Sequence, residues 1–241
     1  MSRSLDEKQF LENYDIHQYD VPLTSVDVVV FTIINEQVHV LINQRSDFPF
    51  KNKWATPGGF IDLKKDKSID DTAKRKLKEK TGYDAPYLEQ MGSIGNAKRD
   101  PRGWSVTVTY FALVNADNVT FGEDCKWCGL NDEGETGEKL AFDHNELIKD
   151  AFERLRNKAQ YSTIVLHVLP EKFTLSELQN SYEIILGGKL NKAGFRRRIL
   201  KANVIEELEG ESKQTATRTA QLYRKVDDEE VHFYMREIYA R

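Results

Sequence analysis

The hydrophobic residues in the first part of the chain are grouped in β-branched runs separated by short polar connections. One run begins at Leu23 and the next begins at Gln37. Runs of this composition are typical of β-strands, and Asn35 and Glu36 provide a two-residue connection between them. We therefore predict a β-hairpin.

Downstream, strand-like and helical patterns follow one another. Residues 104–114 alternate between apolar and polar side chains, as in a half-buried strand, and a further strand is expected near 87–95. The order of elements predicts an α/β fold, a mixed sheet flanked by helices, over residues 1–168. After residue 143, apolar side chains recur at the spacing of an amphipathic helix, at Leu147, Ile148, Ala151, Phe152 and Leu155.

The pattern changes after Pro170, which we take as a domain boundary. A capped helix ends at the paired glycines Gly187 and Gly188, and Asn191 caps a second helix. Two short apolar stretches separated by a polar loop follow, as in a β-hairpin. Two helices with a short turn and then a hairpin predict a winged helix-turn-helix domain over residues 169–241.

Length and charge support this division. The chain has 241 residues, which is long for one core and suits two domains. Its formal net charge is −4, yet residues 171–226 carry eleven basic side chains against seven Glu, a balance of +4. No segment reaches the ~18 apolar residues of a membrane span, and the N-terminus lacks the apolar core of a secretory signal. We expect a cytoplasmic protein without membrane contact.

The second helix of the basic module is the candidate recognition helix. Phe195 and Ile199 would face the core and leave the basic side chains exposed. An arginine run alone is usually a solvated helix face, but the order helix, basic helix, hairpin favours double-stranded DNA as a partner. The DNA-binding candidates are the two cap residues and the basic side chains: Thr174, Asn191, Lys192, Arg196, Arg197, Arg198, Lys213 and Arg218.

Residues 58–83 resemble the Nudix box, a diphosphate-hydrolase signature in which paired glycines lead into a helix reading Arg-Glu-apolar-any-Glu-Glu-any-Gly. Glutamates spaced i, i+3 and i+4 share a helix face and converge on a hard cation such as Mg²⁺. Here Glu79 holds one glutamate position, but Lys76 and Lys80 hold the other two. The alternative without a functional role is an ordinary amphipathic helix with a solvated lysine face, capped by Ser68.

The two lysines change what the box can do. Replacing two Glu by Lys shifts the local charge by about four units and places ammonium groups where a cation would bind. Glu79 alone is not expected to hold a metal, and without one nothing polarises a diphosphate or activates water. We therefore expect no catalytic residues, no metal ligands and no requirement for Mg²⁺ or another cofactor. The loop is also about two residues longer than the signature, which weakens the alignment at Lys65 and Lys67.

Both cysteines of the chain lie in the segment Cys125-Lys-Trp-Cys128. A structural zinc site needs a second ligand pair, and the sequence has none at metal-ligand spacing. In a strand, residues three apart point to opposite faces. We interpret the pair as incidental.

Taken together, the two halves resemble the Nudix-related transcriptional regulators of NAD metabolism, the NrtR type. The resemblance covers nearly the whole chain, and its last three motifs are more specific to the regulators than its first two, which also occur in ADP-ribose pyrophosphatases. The motifs are WATPGGF from Trp54, RDPRGWSVTV from Arg99, LAFDH from Leu140, FTLSELQ from Phe173 and FRRRIL from Phe195.

This resemblance implies a mixed-sheet Nudix α/β/α sandwich followed by a winged helix. It further implies a homodimeric repressor of NAD metabolism genes that senses ADP-ribose or a related nucleotide and binds a palindromic operator. A two-fold dimer would place two recognition helices on successive half-sites.

Arginines are the first candidates for contacts to a bound nucleotide, because guanidinium groups bind phosphate and carboxylate oxygens bidentately. Each arginine also has an interpretation without a ligand, since a loop arginine is usually solvated or paired with a neighbour such as Asp100. The two aromatic candidates would stack on an adenine or fill core. The effector-binding candidates are Arg45, Gly59, Phe60, Glu79, Arg99, Arg102 and Trp104.

Two other functions stay open at this stage. The intact glycine frame and Glu79 favour an active Nudix hydrolase, an ADP-ribose pyrophosphatase with Mg²⁺-dependent turnover. A protein-binding module that reuses both folds is the third hypothesis, because a fold does not fix a function. The tail, residues 226–241, combines acidic and aromatic side chains, and a docking helix is one hypothesis for it.

Overall fold

The computed structural model describes residues 2–85, 87–214, 219–227 and 231–234. Its α-helices are α1 Ser2–Asn13, α2 Ile69–Thr81, α3 His144–Ala159, α4 Leu175–Leu186 and α5 Lys192–Lys201. Its strands are β1 Leu23–Ile34, β2 Gln37–Gln44, β3 Trp54–Ala55, β4 Gly58–Phe60, β5 Tyr87–Asn96, β6 Ser105–Leu113, β7 Cys125–Gly129, β8 Ile205–Gln214 and β9 Thr219–Lys225. Within these ranges no helix is both long and apolar enough to cross a membrane.

The predicted hairpin is confirmed. Strands β1 and β2 pair antiparallel, with Ile34 opposite Gln37. Asn35 and Glu36 both have positive φ angles, of 47° and 61°. A two-residue turn with both central residues left-handed matches the right-handed twist of the strands, which is why it closes hairpins.

The mixed sheet is also confirmed. Its strands follow the order β3-β2-β1-β6-β5, with β4 paired to β1 and β7 paired to β2. Strands β1 and β6 run parallel, whereas the other pairs in this sheet are antiparallel. Strands β2 and β4 both pair with β1. The paired glycines Gly58 and Gly59 of β4 therefore lie directly against the central strand.

Alternate residues of β1 point to the two faces of this sheet, and each face packs against helices. Val28 belongs to the apolar cluster that contains Leu77 of α2. Val29 and Phe31 belong to the cluster that contains Leu147 of α3. This period-two division of a largely buried strand produces the predicted α/β/α sandwich.

The two cysteines lie on opposite faces, as the spacing in a strand predicted. Cys125 belongs to the cluster beside α2, whereas Cys128 packs against the cluster beside α3. Both thiols are free, and burial raises the pKa of Cys125 to about 11. A thiol with that pKa is protonated at neutral pH, so it is a poor nucleophile or metal ligand.

The C-terminal module has the predicted order of two helices and a hairpin. Helix α4 begins at a capping box in which Thr174 and Glu177 bond to each other's backbone, and it ends at Gly187 with φ of 71°. Strands β8 and β9 form the wing. The apolar cluster beside α3 continues through this module to Phe195 and Ile199 of α5. The division of the chain at residue 168 therefore stays a prediction.

The two ends of the chain pack differently from each other. Helix α1 is exposed at all of its described side chains, residues 7–13. Residues 231–234 are extended, and they pair with residues 161–163 through Thr163 N–H to His232 O at 2.9 Å and Tyr234 N–H to Tyr161 O at 2.7 Å. This part of the tail is not a docking helix, and residues 228–230 and 235–241 lie outside the described ranges.

Candidate functional site

A polar cavity of 950 Å³ opens beside β4, the loop before α2, and the start of α3. Twelve charged side chains line it, seven basic and five acidic, so its lining is rich in charge but only weakly positive in balance. The seven basic side chains are Arg45, Lys64, Lys65, Arg75, Lys76, Arg99 and Arg102.

Six of the seven effector-binding candidates line this cavity: Arg45, Gly59, Phe60, Glu79, Arg99 and Arg102. Trp104 is not among the residues that line the cavity, and its contact with a nucleotide stays a prediction. Its indole covers Gly95 of β5, with the ring edge 3.0 Å from the point that a Cβ there would occupy. Trp104 is nevertheless 52% exposed, so it does not fill core either.

Arg99 is the most deeply held of the three arginines. Its side chain is 5% exposed, and Nε and Nη2 donate to the two carboxylate oxygens of Asp143 at 3.0 and 2.9 Å. Nη2 also lies 3.5 Å from Asp27. These contacts agree with the alternative that Arg99 pairs with acidic neighbours, and its phosphate contact stays a prediction. Arg99 therefore fixes the loop before β6 to the start of α3.

Arg102 is paired as well, but it stays partly exposed. Its Nη2 donates to Asp100 at 2.7 Å, and its guanidinium lies 5.1 Å from the ring centre of Phe60. The hydrogen bond to Asp100 raises the pKa of Arg102. Together the two residues place a flat cation above an aromatic face at the cavity wall.

Arg45 differs from the other two because no carboxylate lies within 4.0 Å of it among the residues that the structure describes. Its Nε donates to the Pro49 carbonyl at 2.9 Å, and its guanidinium stacks 4.8 Å from the ring centre of Phe142. Burial, and then repulsion from Arg102, lower the pKa of Arg45. The attraction of an anion in the cavity would offset both effects, and Arg45 has no described carboxylate that competes for that contact.

The predicted helix of the Nudix-like segment is confirmed as α2, with Ser68 and Asp71 forming a capping box. Arg75 donates to Asp66 through Nε at 2.7 Å and Nη2 at 2.5 Å. This contact lowers the pKa of Asp66 far below its ordinary value. Asp66 was not a candidate from the sequence. The loop is longer than the signature, so the alignment is uncertain at Lys65 and Lys67, and Asp66 lies between these two lysines.

The two lysines of the segment have different surroundings. Lys76 lines the cavity, and its Nζ lies 2.9 Å from Oε2 of Glu79. Lys80 does not line the cavity, and its Nζ lies 2.7 Å from Asp124. Across the described ranges, no three His, Cys, Asp or Glu side chains are grouped as metal ligands.

His144, the last residue of the LAFDH motif, lies beneath the cavity and is buried. Its Nδ1 accepts the backbone N–H of Thr56 at 3.0 Å, and Nε2 lies 3.8 Å from Asp27. Burial lowers the pKa of His144. The neutral ring therefore ties the residue that follows β3 to the start of α3 at the cavity wall.

On the recognition helix α5, Phe195 and Ile199 are buried, as predicted. Lys192, Arg196 and Arg197 are exposed, and no described carboxylate lies within 4.0 Å of any of them. These three side chains, which we call the basic face, are available to a polyanion.

The remaining DNA-binding candidates are placed differently. The two cap residues are confirmed as caps: the hydroxyl of Thr174, which is buried, accepts the N–H of Glu177, and Asn191 caps α5. Their DNA contacts stay predictions. Arg198 stacks 4.6 Å from the ring centre of Tyr234. Lys213 of the wing lies 2.6 Å from Glu177. Arg218 lies outside the described residues.

Comparison with known domain families gives two matches in the order of the fold. Residues 23–151 match the NUDIX domain, and residues 165–225 match the NrtR DNA-binding winged helix domain.

Similar proteins carry the same combination. The chain is 49% identical over 222 residues to the ADPR responsive transcriptional repressor NtrR of Acinetobacter baylyi, covering 90% of this chain and 88% of that protein. It is 41% identical to Shewanella oneidensis NrtR in its crystal structure with a 27mer DNA, with a TM-score of 0.83, covering 88% of this chain and 98% of that one. The NUDIX domain of the same NrtR, in a cocrystal structure with ADP ribose, is 45% identical with a TM-score of 0.57 and covers 62% of this chain and 98% of that one.

Proposed function

Because the chain belongs to the NrtR-type regulators, which join a Nudix domain to an NrtR winged helix, we propose that it is a transcriptional repressor that responds to ADP-ribose. The observation that carries the proposal is the presence, in one chain, of a charged cavity with a small excess of basic side chains and a basic helix face without a described carboxylate within 4.0 Å. The cavity supplies Arg45 and Arg102 for the oxygens of a nucleotide. The helix supplies Lys192, Arg196 and Arg197 for DNA.

We propose that the Nudix-like site does not hydrolyse its ligand. Glu79 accepts hydrogen bonds from both Arg75 and Lys76, so the remaining box carboxylate is already occupied. Burial raises the pKa of Glu79, but these two hydrogen bonds outweigh it and lower the pKa overall. An ion-paired carboxylate next to an ammonium group is a poor start for a Mg²⁺ site, and ligand binding without Mg²⁺ or another cofactor follows. The competing function, an ADP-ribose pyrophosphatase, would require measurable Mg²⁺-dependent turnover.

The homodimer and the genes of NAD metabolism stay part of the proposal. The N-terminal segment 7–22 is exposed throughout and contains six large apolar side chains that the rest of the described chain does not cover. A short isolated helix is marginal in water, which favours a second copy of the chain as its cover. The six are Phe10, Leu11, Tyr14, Ile16, Tyr19 and Val21.

The test is DNA binding at one fixed salt concentration. A labelled fragment from upstream of this gene, or of a neighbouring NAD gene, is compared with random DNA, each with and without ADP-ribose. The proposal expects specific binding that ADP-ribose changes, and DNA should change ADP-ribose affinity by the same factor. Specific binding that ADP-ribose does not alter would keep the repressor and reject the effector. Binding without preference for the upstream fragment would reject the repressor, since backbone attraction alone is nonspecific.

A further inference from the structure

We propose that the Lys76 ammonium replaces the divalent cation of a Nudix site and binds the diphosphate of the ligand directly. The inference rests on the proposed function for the ligand, and it adds the residue that makes binding independent of metal. It also separates Lys76 from Lys80, which the sequence pattern treats as equivalent.

The residues of the site do not fit a divalent cation. Both carboxylate oxygens of Glu79 are engaged, Oε1 by Arg75 at 3.0 Å and Oε2 by Lys76 at 2.9 Å. A cation approaching Glu79 would meet two positive side chains within a few ångströms, where like charges repel strongly. The positive charge that a metal would bring is therefore already present.

The Lys76 side chain is directed into the cavity by a close approach to β4. A Cβ at Gly59 would lie 2.9 Å from Cε of Lys76 and 3.3 Å from Nζ, so the lysine stem occupies the space that any other residue would fill. Gly59 also has φ of 151°, which side-chain-bearing residues rarely adopt. Glycine at position 59 thus allows Lys76 to lie across the cavity floor.

The ammonium can transfer to a ligand without leaving a bare carboxylate. When Lys76 turns from Glu79 to an anion, Arg75 still donates to Glu79 and to Asp66. Lysine suits this exchange because it is a compact charge with three rotatable donors on a flexible stem. The Lys76 side chain is 22% exposed, which leaves it accessible from the cavity.

Lys80 provides the matched control. It also stands at a glutamate position of the box, but it pairs with Asp124 outside the cavity lining and is 31% exposed. Its replacement removes the same charge from the same helix without touching the proposed diphosphate contact.

The experiment is calorimetric titration of the full-length protein with ADP-ribose and, separately, with ADP, in EDTA and in Mg²⁺. The wild type should bind equally well in both. Lys76→Gln should bind roughly tenfold or more weakly in EDTA, as expected for loss of a charge-assisted hydrogen bond. Lys80→Gln should stay within about twofold. Thermal unfolding without ligand checks that each variant is folded.

A second variant reverses the sign. Lys76→Glu places a carboxylate one turn before Glu79, so binding should be lost in EDTA and at least partly recovered in Mg²⁺. Wild-type binding that requires Mg²⁺, no binding of either nucleotide in EDTA, or equal affinities of the wild type and Lys76→Gln would each overturn the inference. If ADP-ribose binds through Lys76 but leaves DNA affinity unchanged, the inference holds and the proposed role of ADP-ribose as effector of the repressor fails.

Discussion

The cavity and the recognition helix both collect basic side chains, but they hold them in opposite ways. In the cavity, Arg99 and Arg102 are bound to carboxylates and have fixed directions. On α5, Arg196 and Arg197 extend from an exposed surface without a described carboxylate within 4.0 Å. The difference shows that the protein fixes the direction of these two cavity arginines, whereas it leaves those of α5 free to reach a partner.

Burial explains the contrast. A buried charge without a partner is costly, so Arg99, whose side chain is 5% exposed, needs its carboxylates for the chain to fold. An exposed arginine has no such requirement, and its charge remains for a polyanion whose condensed counterions it can release. Binding a small ligand needs a few protein side chains held in fixed positions, whereas a DNA backbone can attract several mobile basic side chains.

The largest expected effect comes from removing the most deeply paired cation. Arg99→Ala leaves Asp143 and Asp27 without their shared partner. We expect the free energy of unfolding to fall by roughly 3–5 kcal/mol, as when one member of a buried ion pair is removed. Urea unfolding monitored by circular dichroism measures the change.

The control for this effect is Arg196→Ala, which removes the same side chain from the exposed face. Its free energy of unfolding should stay within about 0.5 kcal/mol of the wild type. If the two variants destabilise the protein equally, the contrast between structural and available arginines is wrong.

The next effect concerns DNA. Replacing both Arg196 and Arg197 by Ala should weaken binding to the upstream fragment by about tenfold or more, since each arginine contact to DNA is worth about 1–3 kcal/mol. The slope of log affinity against log salt should also become shallower, by about 0.9 for each phosphate that the protein no longer neutralises. Fluorescence anisotropy over a salt series measures both quantities.

The same double variant must bind ADP-ribose as the wild type does. Calorimetric titration in the absence of DNA provides that comparison. A loss of ADP-ribose affinity would mean that the two basic regions are not independent, and the contrast between them would then fail.

Most of the fold could be predicted from the sequence, because its signals are local. Asn35 and Glu36 between two β-branched runs predict the hairpin, and Ser68 three residues before Asp71 predicts the start of α2. The capped helix at Thr174 is equally local. Each of these depends on residues a few positions apart, so periodicity and capping rules reach them.

The arrangement of the site could not be predicted to the same depth, because its contacts are distant in sequence. Arg99 and Asp143 are 44 positions apart, and no pattern in one sequence pairs them. Lys76 and Lys80 are identical in type and share a helix face, yet one faces the cavity and the other Asp124. Only the packing of the strands and loops around α2 separates them.

A smaller effect is expected from replacing Arg198. This arginine is on the recognition helix but has an aromatic partner. Its guanidinium stacks on Tyr234 of the tail, unlike that of Arg197. Arg198→Ala should therefore reduce DNA affinity less than Arg197→Ala and lower the free energy of unfolding by about 1 kcal/mol. A double-mutant cycle with Tyr234→Leu should give a coupling of about 0.5–1 kcal/mol. Additive effects of the two substitutions would show that the stacking contributes nothing.

The smallest effect is a pH dependence in the turn that presents the basic face. Glu183 accepts hydrogen bonds from Lys189, from the Leu190 N–H and from Gln179, and these lower its pKa from 4.5 to about 2. Because the folded pKa is depressed, the ionised carboxylate stabilises the fold fully above the unfolded pKa, and this contribution is lost as pH falls toward about 2. The stability difference between the wild type and Glu183→Gln should thus be constant above about pH 5 and shrink below it. Urea unfolding of both proteins over a pH series measures this difference. A stability difference that persists undiminished down to pH 3 would mean that the shape of the Glu183 side chain, and not its charge, stabilises the turn. The turn before the recognition helix would then not depend on an ionised carboxylate.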